Sequence, residues 1–207
     1  KSIVYVEWTD AGLGHIRTIG PNGAGAKTVT ADPGHYRRPR FSPDSKTIVF
    51  EKGSGGYLLS DLWSDDPGVY RVPVAGGAVA KVTGDGRFPH YAESNDRIYV
   101  TRTDKENGVL VSVDLNGEAA RTHASGEMVA GYEVSPDGHD VAFRDNYAAY
   151  VMPLAMGPQE VGAGKGGSAM PIVKASKGGA AVVKRPRAKP ARKPSRRKVA
   201  SGRRTAK

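Results

Sequence analysis

Arg37-Arg38-Pro39-Arg40-Phe41-Ser42-Pro43-Asp44-Ser45-Lys46-Thr47-Ile48-Val49-Phe50 recurs without gaps 50 residues later as Arg87-Phe88-Pro89-His90-Tyr91-Ala92-Glu93-Ser94-Asn95-Asp96-Arg97-Ile98-Tyr99-Val100. A third copy, Val134-Ser135-Pro136-Asp137-Gly138-His139-Asp140-Val141-Ala142-Phe143, follows after a further 43 residues. Each copy reads as a short strand, a tight reversal and a second strand. In Ser-Pro-Asp-Ser and Ser-Pro-Asp-Gly, proline presets φ at the second turn position, and the aspartate side chain can bond the backbone that follows it.

A different pattern fills the intervals. Val69-Tyr70-Arg71-Val72-Pro73-Val74-Ala75-Gly76-Gly77 followed by Ala80-Lys81-Val82-Thr83 recurs as Val109-Leu110-Val111-Ser112-Val113-Asp114-Leu115-Asn116-Gly117 followed by Ala120-Arg121-Thr122-His123. Two alternating runs separated by Gly-Gly or Asn-Gly form a hairpin. Weaker relatives occur at Ile16 to Thr30 and at Tyr150 to Leu154. Four short strands every 40 to 50 residues or so is the pattern of propeller blades. The expected fold is therefore all-β: a partial β-propeller of about four four-stranded antiparallel blades over residues 1–176. Phe41, Ile48, Phe50, Val72, Val74, Tyr91, Ile98, Val100, Leu115, Val134 and Phe143 are its expected inward or inter-blade residues.

These residues carry a resemblance. Pro-Arg-Phe-Ser-Pro-Asp-Ser-Lys-Thr-Ile-Val-Phe and the later Ser-Pro-Asp-Gly resemble the WD-like repeat of the TolB family, which also builds propellers attached to amidohydrolases, tricorn-type proteases and prolyl oligopeptidases. The likeness covers about residues 1 to 175. Ala169 to Gly179 resembles the start of a further blade in the amidohydrolase-linked type. Most such propellers resemble closed rings of six or seven blades, though four-bladed ones exist, so the resemblance to the larger rings implies an incomplete ring, with bare blade edges open to pairing with another chain.

The chain has 207 residues and a formal charge of +10, unevenly placed. Residues 1 to 176 carry all 21 acidic residues and 18 of the 31 basic ones, a balance of −3, whereas residues 177 to 207 carry 13 basic residues and no acid. That final segment has no aromatic residue or apolar period, so it is expected to be disordered. Two origins account for it: a nucleic-acid-binding arm resembling linker-histone tails, binding phosphates nonspecifically and with strong salt dependence, or an out-of-frame reading of GC-rich coding sequence. Cysteine is absent, which removes disulfides, thiolate metal sites and cysteine nucleophiles without fixing a compartment. No segment approaches the 20 or so apolar residues of a membrane-spanning helix.

The chemistry-bearing motifs resolve into turns. Gly20-Pro21-Asn22-Gly23-Ala24-Gly25-Ala26-Lys27-Thr28 suggests a phosphate loop, but Ala26 separates the last glycine from the lysine and no helix pattern follows; its place in the repeat is that of a hairpin turn. Gly162-Ala163-Gly164-Lys165-Gly166-Gly167 lacks the strand-turn-helix frame of a dinucleotide site. His15, His35, His90, His123 and His139 have no metal-ligand spacing, and no Gly-x-Ser-x-Gly elbow occurs. No catalytic, cofactor-binding or metal-binding set is expected in this chain. The amidohydrolase resemblance places any zinc in a catalytic domain outside it.

Recognition is expected in loops. The long connection Lys52 to Gly68 carries Tyr57, Asp61, Trp63, Asp65 and Asp66, and strand alternation sets it at the same end as Gly34-His35-Tyr36-Arg37-Arg38 and Gly84-Asp85-Gly86-Arg87. The alternative is a surface excursion whose tryptophan packs on its own blade. Arg37 and Arg87, at one repeat position, suit either an anionic group or a salt bridge between blades. The functional expectation is a non-catalytic propeller in a periplasmic or secreted protein resembling the amidohydrolase-linked type, restricting access to a catalytic domain or docking a protein or peptide. A TolB-like interaction module and a nucleic-acid-binding protein acting through the tail are the alternatives.

Overall fold

The computed structural model describes residues 1–53 and 66–154, together with the backbone of two short strands, Gln159–Glu160 and Met170–Pro171. Tyr57, Asp61, Trp63, Asp65, the glycine-rich run 162–167 and the basic segment 177–207 lie outside the described residues.

Every regular element among them is a strand, and the strands form four consecutive sheets. The first holds β1 (Ile3–Thr9), β2 (Leu13–Ile19) and β3 (Lys27–Thr28). The second is β4 (Tyr36–Phe41), β5 (Thr47–Lys52), β6 (Gly68–Pro73) and β7 (Ala80–Thr83), paired in that order. The third is β8 (Arg87–His90), β9 (Arg97–Asp104), β10 (Asn107–Asp114) and β11 (Arg121–Glu127). The fourth begins with β12 (Val129–Val134), β13 (Asp140–Asp145) and β14 (Ala148–Pro153). These are the blades of a partial β-propeller. Its first sheet has three strands instead of four, because β1 takes the place that β5, β9 and β13 hold in the others. Two late strands depart from the repeat: β15 (Gln159–Glu160) adds in parallel to β11, and β16 (Met170–Pro171) pairs with β14 as the outer strand of the fourth blade. Met170–Pro171 thus covers the edge that β14 would otherwise leave unpaired, and the rest of the run Ala169 to Gly179 lies outside the described residues.

The turns follow from their side chains. Ser42 Oγ donates to Asp44 Oδ1 at 2.6 Å and accepts the Thr47 amide at 3.0 Å, while Asp44 takes the Lys46 amide at 3.0 Å. Ser135, Asp137, His139 and Asp140 repeat this arrangement, and Ser94 bonds Asp96 in the second copy. Donation from the serines holds the Asp44 and Asp137 carboxyls below the usual carboxylate range. The Asn116-Gly117 turn needs its glycine twice over: φ is +82°, and a Cβ would stand 1.9 Å from the Val82 carbonyl oxygen of the neighbouring blade.

Alternation along the strands gives each blade two apolar faces, and the core consists of the three layers between blades. Ile16, Val29, Tyr36, Ile48, Phe50, Tyr70 and Val72 fill the first layer, where the Phe50 ring lies edge-on to Tyr36 and stacks with Tyr70. Val49, Val69, Val82, Tyr91, Ile98, Val100, Val111 and Val113 fill the second. Tyr99, Leu110, Ala124, Tyr132, Val134, Val141, Phe143 and Met152 are central to the third. Of the expected core, Phe41, Val74 and Leu115 are half-buried at the margins of these layers and the rest are buried.

The first strands of successive blades lie side by side, β8 between β4 and β12. Arg40, His90 and Glu133, which share a repeat position, form a tier across them. Arg40 pairs with Glu133 at 2.9 Å across three blades. His90 is buried, with Nδ1 2.8 Å from the Phe88 carbonyl and Nε2 2.9 Å from the Val134 amide. Nδ1 therefore carries the proton and Nε2 accepts, which only the neutral ring can do. Burial pushes the His90 pKa below its ordinary 6.5. A base depressed in the folded state makes stability complete above the unfolded value and lowers it as pH falls through the folded one. Urea midpoints should accordingly drop between pH 7 and pH 5, and His90→Gln, though less stable throughout, should show a shallower drop. An unchanged slope would mean that His90 does not carry the dependence.

Candidate recognition face

Arg38, Phe88 and Gly131 share the repeat position two residues before that tier, and they too come together. In all three inner strands the register slips here, between Arg37 and Arg40, Arg87 and His90, and Val129 and Gly131, so that one extra residue bulges from the ladder. In the first two the bulge carries a residue of positive φ, Arg38 at +51° and Phe88 at +56°, followed by a proline that has no amide to place in the ladder. The bulge turns these side chains along the row of strands instead of into the blade layers. The Arg38 guanidinium lies 4.2 Å from the centroid of the Phe88 ring, and that ring rests on the Gly131 backbone, where a Cβ would meet three ring carbons at 3.0 to 3.2 Å.

Glu51, the last acid of the apolar strand β5, secures the row. It is only 8% exposed, accepts the Arg38 guanidinium at 2.7 Å, and takes the Phe88 amide on its other oxygen at 2.5 Å. One buried carboxylate thereby links blade two to the bulge of blade three. The ion pair of this row is made by Arg38 within blade two, because the bulge brings the second arginine of Arg37-Arg38, not the first, over the β5 carboxylate. Arg37 and Arg87 have no carboxylate partner among the described residues.

The loops expected at one end of the blades do gather there. The Gly53 amide bonds the His35 carbonyl at 2.9 Å, and the His35 ring lies 5.0 Å from Trp8 at the end of β1. Asp66 closes the far side of the long connection by pairing with Lys81 and accepting the Tyr70 hydroxyl, which hold its carboxyl below the usual range. That commits Asp66 to the framework. The turns holding Met128, 58% exposed, and Tyr147, 99% exposed, lie at this same end.

Beside the Arg38–Phe88–Gly131 row opens a cleft of about 510 Å³, lined by Arg38, Arg87, Phe88, Glu133 and Arg144 together with the small residues Gly131, Ala142 and Ala149. Phe88, Glu51 and Arg144 did not stand out in the sequence. The signal for Glu51 was a single acid ending an apolar strand, and that for Arg144 was its neighbourhood in the third copy of the same strand. Among the described residues no group of three or more His, Cys, Asp or Glu side chains stands where it could hold a metal, and no helix is long and apolar enough to cross a membrane. Glu51→Gln keeps one acceptor and loses the charge, so it should cost about 1–3 kcal/mol in urea unfolding with an unchanged denaturant slope. A cost near zero would show that the carboxylate does not join the blades.

No family model matches this chain, and no curated protein matches it. Solved structures do. TolB from Acinetobacter baumannii superposes with a TM-score of 0.62 at 18% identity, over 83% of this chain and 40% of that one. A putative TolB from Agrobacterium tumefaciens gives 0.56 at 16% identity, over 82% and 60%. Oligogalacturonate lyase from Vibrio parahaemolyticus gives 0.51 at 12% identity, over 77% and 42%. The chain therefore spans between 40% and 60% of the length of these neighbours. Likeness at such identities is one of fold, and the fold of this chain is that of the TolB-type β-propeller blades.

Proposed function

We propose that this chain is a non-catalytic recognition module, part of a periplasmic or secreted protein, that docks a protein partner with the blade end carrying His35, Arg37, Arg38 and Arg87. The observation supporting this most is the cleft: Arg87 and Arg144 flank it without a carboxylate partner among the described residues, while Glu51 and Arg40 neutralise Arg38 and Glu133 beside them. Uncompensated charge on a rigid scaffold favours a partner of opposite sign and speeds encounter with it. The described ends of the long connection, Gly53 and Asp66, lie at this end of the blades. In a parent protein of the amidohydrolase-linked type, the same face would border a catalytic domain and restrict access to it. The superposition on TolB over 83% of the chain favours a second reading, a TolB-like periplasmic interaction module, which uses the same surface.

Photo-crosslinking amino acids placed at Met128 and Tyr147, and in separate variants at Lys46 and Asn116 on the opposite end, test the proposal in extracts of the source cells. Specific protein adducts are expected from Met128 and Tyr147 alone. Adducts confined to the opposite end would overturn the assignment of the face. Turnover of peptide, ester or cyclic amide substrates that depends on a residue of this chain would overturn the non-catalytic role.

A further inference from the structure

The cleft specifies the chemistry of what enters it, and the following inference rests on the recognition reading above. Two guanidinium groups, Arg87 and Arg144, come from different blades, one from the start of β8 and the other from β13. Neither meets a carboxylate among the described residues, and each presents paired N–H donors of the geometry that suits a carboxylate. The cleft lining includes the small residues Gly131, Ala142 and Ala149 beside Tyr132 and Phe143, which leaves room for an extended backbone. Phe88 is the aromatic wall, yet its ring is already occupied by the Arg38 guanidinium and by the Gly131 backbone. That leaves this ring little open face for a sugar to stack on. We infer that the cleft binds an extended acidic peptide, with two of its side-chain carboxylates taken by Arg87 and Arg144 and its backbone lying in the cleft beside Gly131, Ala142 and Ala149.

The test uses the full chain at about 0.15 M salt, where charges more than about 8 Å apart are largely screened. The probe is a short fluorescent peptide alternating glutamate with glycine and leucine and carrying a photoreactive group; its glutamine counterpart and an oligogalacturonate serve as competitors. The acidic peptide is expected to bind and to label residues between Ala130 and Ala149. R87Q/R144Q should weaken binding at least tenfold, R87K/R144K should retain part of it, and Lys46→Gln at the opposite end should have no effect. No binding, labelling confined to the basic segment 177–207, or equal binding by R87Q/R144Q would overturn the inference. Stronger competition by oligogalacturonate than by the unlabelled acidic peptide, lost in R87Q/R144Q, would replace the peptide with an acidic saccharide. Should the peptide fail while Met128 and Tyr147 still crosslink a protein, the recognition reading stands and only the acidic class falls.

Discussion

A carboxylate buried between two sheets must be answered on both oxygens or it destabilises the fold, and Glu51 is answered by Arg38 from its own blade and by the Phe88 amide of the next. The rest of the inner wall depends on that arrangement. With the Phe88 amide held, the bulge of β8 is set, its ring is turned toward Gly131, and the Arg38 guanidinium has an aromatic surface to lie on. The tier below repeats the logic with different chemistry: His90 bridges to the Val134 amide while Arg40 and Glu133 span the row. Apolar layers hold neighbouring blades together without fixing their mutual position, because hydrophobic attraction has little direction. The two polar tiers supply the direction.

This arrangement also accounts for the asymmetry of charge in the cleft. The repeat places a residue of the 38, 88 and 131 series on each inner strand, but only the arginine of the series, Arg38, lies over a carboxylate. Arg87 belongs to the preceding position and meets no carboxylate among the described residues, and Arg144 stands on β13 where β5 has Glu51. The divergence of three copies of one motif thus replaces the ion pair of one blade with arginines that have no carboxylate partner among the described residues. Function in repeat proteins often arises from such departures from the consensus, since the scaffold is already secured elsewhere.

How much of this was legible in the sequence follows from what kind of interaction each part uses. Strand alternation and Ser-Pro-Asp turns are local, so the blades, the turn geometry and the buried positions at Ile48, Phe50, Ile98, Val100 and Phe143 could be read directly. The bulge could not: it depends on one unpaired residue in a ladder, and the sequence Arg-x-Pro shows only that the ladder is interrupted. For that reason Arg37 and Arg87 attracted notice as a matched pair, while the ion pair formed at Arg38. Glu51 is equally silent in one dimension, because its role exists only once Phe88, 37 residues away, is beside it. The face itself was half legible. Strand alternation sets the described loop ends at one end of the blades, but the cleft draws on Gly131 and Arg144, which no loop motif marks.

Native-state hydrogen exchange of the Phe88 amide tests the central claim, that the Glu51 carboxylate joins the second and third blades, most directly. Phe88 lies in a short strand beside an open cleft and has a backbone conformation outside the regular ladder, so without the carboxylate its amide would exchange like that of a surface loop. Protection approaching that of the β9 and β10 amides is expected, released only by unfolding that separates the two blades. Exchange of Phe88 at the rate of an exposed turn amide, with β9 and β10 still protected, would contradict it.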